Sequence, residues 1–363
     1  MWTGVMRMRL APLWLALVFL SCAPSAPSVS RSASPPATST SKPVSLIGSP
    51  AMLVPTTTAV ADWRDIEGVA LCGRYLAWHG NRTGNPQRDP QQLMVLDRAS
   101  GRSIVLATAP QPAGLMAWLR ISDSWAVWAE YTDRVQITDW RLRAARLPDG
   151  VPFTLLEAPP NARLDDRPEF ELQGDELMLA TRRSAGGHEL LRMNLMTRET
   201  RVMMQTTAPE TLAWPAFDGS SVFVESHVSA GSRLLAMDRD GKPQTVPAPP
   251  ASEPSLSQGW LAYKSSERSE LGTITFRFLA TGETLRTPDK GEAPAARDGN
   301  FAWISDSAPR LRAYDAVTRR AFAWDAPRDL AIASPALAGR NVAVITQRLE
   351  PPGGFAVVML ELP

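Results

Sequence analysis

The sequence predicts an all-β fold: a β-propeller of four-stranded antiparallel blades, with seven blades favoured over six. Three observations carry this expectation. From about residue 62 onward the chain offers short apolar runs, such as residues 75–78, 125–129 and 342–345, separated by turn residues, and no long stretch at the 3.6-residue period of a helix. One unit then recurs at the period of a propeller blade. Finally, the last unit stops one strand short, and an apolar stretch near the N-terminus is available to complete it.

The first 21 residues read as an export signal. Arg7 and Arg9 supply its positive end, and residues 10–20 form an uncharged apolar run of eleven, too short to span a bilayer. The run closes on Val18-Phe19-Leu20-Ser21-Cys22, which resembles the cleavage box of bacterial lipoproteins and makes Cys22 the expected lipid-attachment residue. An ordinary secretory signal, cleaved after Ala23 or Ala26, is the alternative. Residues 23–50 hold 21 Pro, Ser, Ala or Thr among 28, with no acid and no aromatic. Such a segment buries too little apolar surface to offset an ordering cost of about 1–2 kcal/mol per residue, so residues 22–50 are expected to be a solvated tether. The resulting address is the extracytoplasmic side of a bacterial envelope, with the membrane reached through the N-terminal lipid.

Residues 51–363 are the expected propeller. Its clearest units are Pro215-Ala-Phe-Asp-Gly-Ser-Ser-Val-Phe-Val-Glu225, Pro254-Ser-Leu-Ser-Gln-Gly-Trp-Leu-Ala-Tyr-Lys264, Pro294-Ala-Ala-Arg-Asp-Gly-Asn-Phe-Ala-Trp-Ile304 and Pro335-Ala-Leu-Ala-Gly-Arg-Asn-Val-Ala-Val-Ile345. Each gives two strands around a Gly, Asp or Asn turn. With looser copies marked by Val69, Trp118 and Pro168, successive units are 49, 50, 47, 39, 40 and 41 residues apart. Third strands such as Leu93-Met-Val-Leu-Asp97 and Leu311-Arg-Ala-Tyr-Asp315 end in turns, where Gly101 and Gly241 suit tight hairpins. Proline-bearing crossings, such as Ala109-Pro110 and Ala208-Pro209, lead to the next unit. The last unit shows three strands, and residues 44–54 are the expected donor of the fourth. A six-blade ring with an irregular extra segment is the alternative.

Tyr75-Leu-Ala-Trp78, the polar loop with Gly84-Asn85-Pro86, and Gln92-Leu-Met-Val-Leu-Asp97-Arg-Ala-Ser-Gly101 together resemble the repeat of the TolB-like (PD40/WD40-like) β-propeller family. The resemblance covers most of residues 62–363. It implies either a periplasmic partner-binding protein or a propeller domain that gates an oligopeptidase, and the Gly-x-Ser-x-Gly of the second context is missing.

Thirty-eight basic against 37 acidic side chains leave no global field to gather nucleic acid, so no nucleic-acid partner is expected. Three histidines and two cysteines leave little for catalytic or metal chemistry, and no metal or cofactor is expected. Cys72 reads as a buried structural thiol. Asp165-Asp166 reads as surface loop, since adjacent side chains on an extended chain point apart. Trp78, Trp128 and Trp303 recur at second-strand positions and should pack between blades, burying on the order of 200 Å² each. The connections after the second strands vary in length and chemistry, and they share a face with the crossings near Trp118 and Trp214. Recognition belongs on variable loops held by rigid strands. His79, Arg82, Arg88, Trp118, Arg182, His188, Trp214 and His227 are therefore the candidate binding face, the three histidines being placed in second-to-third-strand connections. The expected function is a monomeric, non-catalytic binding module for a protein or envelope polymer. A propeller glycosidase or lyase using an axial pocket is the alternative.

Overall fold

The computed structural model describes residues 45–363, apart from 86–87, 111–113, 133–137, 160–161, 163–165, 230, 245–250, 266–270, 293, 309 and 351–352. The export signal, Cys22 and residues 22–44 of the expected tether lie outside the described residues, as does Asp165. Seven sheets follow one another along the chain, each built on an antiparallel meander of consecutive strands, and three of them also take an N-terminal strand. The first strands are Asp65–Cys72, Leu115–Ile121, Glu169–Gln173, Thr211–Phe217, Ser252–Ser257, Ala295–Arg297 and Leu330–Ala338, for blades one to seven. First strands of successive blades abut and line the axis, blade seven meeting blade one. This is a seven-bladed β-propeller, and the six-blade alternative falls away.

Second strands are buried on both faces, which is why they read as continuous apolar runs instead of alternating ones. Tyr75–Asn81, Trp125–Tyr131, Trp260–Lys264 and Asn300–Ile304 are buried at every position. One apolar core fills each of the seven junctions between blades. Trp128 lies in the junction of blades one and two, Trp78 in that of seven and one, and Trp303 in that of five and six. The residue ending the third strand serves the following turn. Asp97 Oδ1 accepts from the Ala99 N–H at 3.0 Å, Asn194 Oδ1 from Met196 at 2.9 Å, and Asp315 Oδ1 from Val317 at 2.8 Å. Asx turns of this kind need the short polar side chain, and Gly101 at φ 71° supplies the left-handed residue that follows in blade one.

Closure uses an N-terminal strand, but a later one than expected. Pro55–Trp63, not residues 44–54, runs antiparallel to Phe355–Glu361 and completes blade seven. The physical reason is connectivity: the closing strand must pass directly into the first strand of blade one, and only Arg64 separates Trp63 from Asp65. The upstream segment has a different task. Ser45–Leu46 adds in parallel to the outer strand of blade five, and Ala51–Met52 adds in parallel to the outer strand of blade six. The Ile47 N–H donates to Arg286 O at 3.0 Å and the Leu53 N–H to Ala323 O at 2.7 Å, while the Leu53 side chain sinks into the junction of blades six and seven. Three consecutive blades are thus bound by one N-terminal stretch.

Candidate functional site

The axial wall is shaped by β-bulges in the first strands. Their pairing with the second strand slips between Ala117 and Arg120, Ala213 and Ala216, Ser252 and Ser255, and Ala333 and Ala336. At each slip one non-glycine residue adopts a left-handed conformation: Trp118 (φ 56°), Trp214 (φ 47°), Glu253 (φ 52°) and Ser334 (φ 51°). A left-handed non-glycine residue is strained by roughly 1–3 kcal/mol and persists only where its surroundings over-determine it. The bulge re-aims the side chain away from the sheet ladder. Blade one has a related slip between Ile66 and Gly68, where a Cβ on Gly68 would come within 2.3 Å of His79 Nε2.

Blade three departs from this pattern, and the departure makes room. Its first strand pairs without a slip from Glu169 onward. Trp118 from blade two and Trp214 from blade four therefore meet over its start, with ring centroids 5.9 Å apart at 79°. The Arg167 guanidinium lies over the Trp118 ring, 4.9 Å from its centroid, and the Trp118 indole N–H donates to the Tyr131 hydroxyl. Glu169 Oε2 accepts the Trp214 backbone N–H at 2.6 Å, and Glu225 Oε2 accepts the Glu253 N–H at 2.8 Å. Each carboxylate thus satisfies an N–H that a bulge removed from the ladder. Lys264, almost fully buried, pairs with the Glu253 carboxylate.

Electrostatics follow from this crowding. The Glu169 side chain is 15% exposed, and burial raises its carboxyl above the usual range; the Trp214 N–H and Arg167 pull it back, while Glu225 pushes it further up. His227 Nε2 stands 3.4 Å from Glu225 Oε1, and its Nδ1 shares a 2.8 Å hydrogen bond with Ser232 Oγ. At the opposite end of the axis, Arg297 of blade six reaches across to two other blades. It donates to Cys72 Sγ of blade one at 2.9 Å and to Leu172 O of blade three at 3.4 Å. Cys72 is a buried free thiol, and burial pushes it up to about 12. Arg297 thus ties the first strands of blades one, three and six together near their hairpin ends.

Of the residues singled out in the sequence, the structure joins Trp118, Trp214 and His227 on this wall. The others are elsewhere. His79 is buried at the end of a second strand, Arg82 lies over the Trp63 ring at 5.4 Å, and Arg88 is exposed on its loop. Arg182 pairs with Asp166, and His188 is buried with Nδ1 3.2 Å from Leu212 O. The histidines do not lie in connections: second strands run through His79 to Asn81 and through His227 to Val228, and a third strand begins at His188. These strands continue beyond the apolar runs that marked them, because polar residues near their ends still pair. Arg167, Glu169, Glu225, Glu253 and Lys264 were not anticipated. A signal exists for two of them: Arg167 and Glu253, like Trp214 and Ser334, each immediately precede a proline that marks the repeat. Among the described residues no group of His, Cys, Asp and Glu is placed to hold a metal ion.

No known protein-family model matches the sequence, and no curated protein matches it. Solved structures do resemble it. The propeller domain of the Trilobed protease from Pyrococcus furiosus, described as having an open velcro topology, aligns with a TM-score of 0.58 at 12% identity, covering 83% of this chain and 95% of that one. An oligogalacturonate lyase in complex with manganese aligns at 0.51 and 14% identity, over 85% and 95% of the two chains. TolB from Acinetobacter baumannii aligns at 0.43 and 11% identity, over 82% and 64%. The fold is shared with the protease propeller domain and the lyase; at such identities the likeness extends to the fold alone.

Proposed function

We propose that the protein is a non-catalytic binding propeller whose ligand seat is the axial wall around Trp118 and Trp214, reached from the crossing-loop face. The observation that carries this reading is the meeting of two indoles, each held in a left-handed bulge. An aromatic side chain is a costly occupant of such a position. Two of them, aimed at one another and braced by Glu169 and Tyr131, make a preorganised apolar surface in a half-exposed setting. Glu169 and Glu225 also converge here, as a glycosidase or lyase would require. Both, however, hold backbone N–H groups of the wall itself, which favours a bracing role.

The setting of this activity is the extracytoplasmic side of a bacterial envelope. Cys22 carries the lipid, residues 23–44 hold the propeller off the membrane, and the monomer presents its crossing-loop face to a protein or envelope polymer. The support is the eleven-residue apolar run ending at Cys22 and the Pro, Ser, Ala and Thr tract that follows. Envelopes from cells making the full chain should yield a species that co-purifies with it. The Trp118→Ala, Trp214→Ala double variant should lose that species at least tenfold while melting as a folded protein. Undiminished co-purification with the double variant would refute the seat, and turnover of a peptide or polysaccharide would refute the non-catalytic reading. Cys22→Ala should abolish membrane fractionation of the processed chain.

A further inference from the structure

We infer that the seat recognises a positively charged group of the ligand, a guanidinium or an alkylammonium, and that Arg167 occupies this position in the unbound protein. The inference rests on the proposed seat and adds the chemistry of what it takes. Its first support is the guest already present. The Arg167 guanidinium stands 4.9 Å from the Trp118 ring centroid, so the indole face is shaped and oriented for a cation. The hold on this guest is loose. Arg167 Nε is 3.9 Å from Glu169 Oε1, beyond hydrogen-bond range, and the arginine side chain is 37% exposed.

The second support is the charge left when Arg167 moves away. Three carboxylates converge on the wall from blades three, four and five, and only Glu253 is matched by a buried lysine, Lys264. Glu169 and Glu225 influence one another across the junction of blades three and four, with His227 beside them. Backbone N–H groups occupy one oxygen of each, which leaves Glu169 Oε1 and Glu225 Oε1 directed elsewhere, the latter toward His227. A neutral ligand stacking on the indoles would shield these carboxylates from water and compensate neither. A cation between the ring and Glu169 does both tasks, since cation–π attraction and charge pairing strengthen together in a site that excludes water. The opposite wall presents exposed Ala333 and Ser334.

The test uses ethylguanidinium and its neutral isostere ethylurea as probes of the full chain, followed by ligand-observed NMR, with maltotriose as an uncharged polymer fragment. Arg167→Ala should bind ethylguanidinium at least tenfold more tightly than the unaltered protein and should discriminate against ethylurea by a similar factor. Glu169→Gln, introduced on top of Arg167→Ala, should erase that gain while thermal melting shows a folded ring, and Trp118→Ala should do the same. Equal binding of the two probes by Arg167→Ala, or no gain over the unaltered protein, overturns the inference. If maltotriose binds in a Trp118-dependent manner while ethylguanidinium does not, the seat stands and its cation chemistry is wrong. If none of the three binds in a Trp118-dependent manner and the co-purifying species also survives the double Trp substitution, the seat itself is wrong.

Discussion

Blades two to four and blades five to seven are made from the same repeat, yet they are loaded at opposite edges. In the first half the inner edge is crowded: Trp118, Arg167, Glu169 and Trp214 crowd the axis, and among the described residues no N-terminal strand pairs with the outer edges. In the second half the outer edges of blades five and six receive Ser45–Leu46 and Ala51–Met52, blade seven receives Pro55–Trp63, and the inner edge at blade seven presents Ala333 and Ser334. The same bulge that strains a tryptophan in blade four strains only a serine in blade seven. The difference separates two demands. One half of the ring secures closure by pairing edges that would otherwise be exposed. Both halves carry left-handed bulges, but the first half places indoles in them, where a recognition surface needs large side chains.

The sharpest way to break this division is to cut the N-terminal stretch at three points. Removing residues 1–44 should leave the melting temperature within a degree or two, since the Pro, Ser, Ala and Thr tract that precedes the ring has too little apolar surface to pack on it. Removing residues 1–54 deletes the buried Leu53 and both parallel pairings, and should lower stability by about 2–5 kcal/mol on the scale of a buried leucine lost from a core. Removing residues 1–63 opens blade seven and strips Val60 and Trp63 from the junction with blade one, and should give aggregation or no cooperative transition. Equal melting of the second and third truncations would show that Pro55–Trp63 closes nothing.

A smaller effect sharpens the other half. Glu169→Ala leaves the Trp214 N–H without its acceptor and should cost about 1–3 kcal/mol in chemical denaturation, whereas Glu169→Gln keeps an acceptor oxygen and should cost less. The pair also predicts a pH dependence. Burial raises the Glu169 carboxyl, so the folded protein holds this proton more tightly than the unfolded chain does. The stability that brings is complete below the ordinary carboxylate range and is lost as pH rises through the raised folded value. Subtracting the Glu169→Gln profile from that of the unaltered protein should expose this fall; parallel profiles would contradict it.

The smallest expected effect compares the two bulges directly. Ser334→Gly relieves a left-handed residue whose side chain is exposed, and should change stability by no more than about 1 kcal/mol, toward stabilisation. Trp214→Gly relieves the same strain but removes an indole packed at 5.9 Å on Trp118, and should be destabilising. A stabilising Trp214→Gly would mean that the indole contributes strain and little packing.

Much of this was legible in the sequence, and the unread parts share a physical cause. Blade number, meander order and the burial of Trp78, Trp128 and Trp303 follow from patterns that repeat seven times, so each blade corroborates the others. Closure was read correctly in kind and misplaced by about ten residues. Residues 44–54 contribute the buried side chain of Leu53 and pair along the rim of blades five and six, while the Thr-rich Pro55–Trp63 has the β-branched composition of the true closing strand. Trp118 and Trp214 stood out because tryptophan is conspicuous. Glu169 and Glu225 did not, because a glutamate in a strand looks alike whether it faces solvent or accepts a bulge N–H from the next blade. That distinction depends on contacts between residues 45 positions apart in one case and 28 in the other.

The central claim, that the ligand is held by the crowded half of the axis, is tested most directly by hydrogen exchange on the full chain with and without its co-purified partner. The account predicts slowed exchange in Leu115–Ile121 and Thr211–Phe217, with the hairpin turns around Gly219 and Gly299 unchanged. Protection confined to those turns, with both Trp-bearing strands exchanging as before, would contradict it.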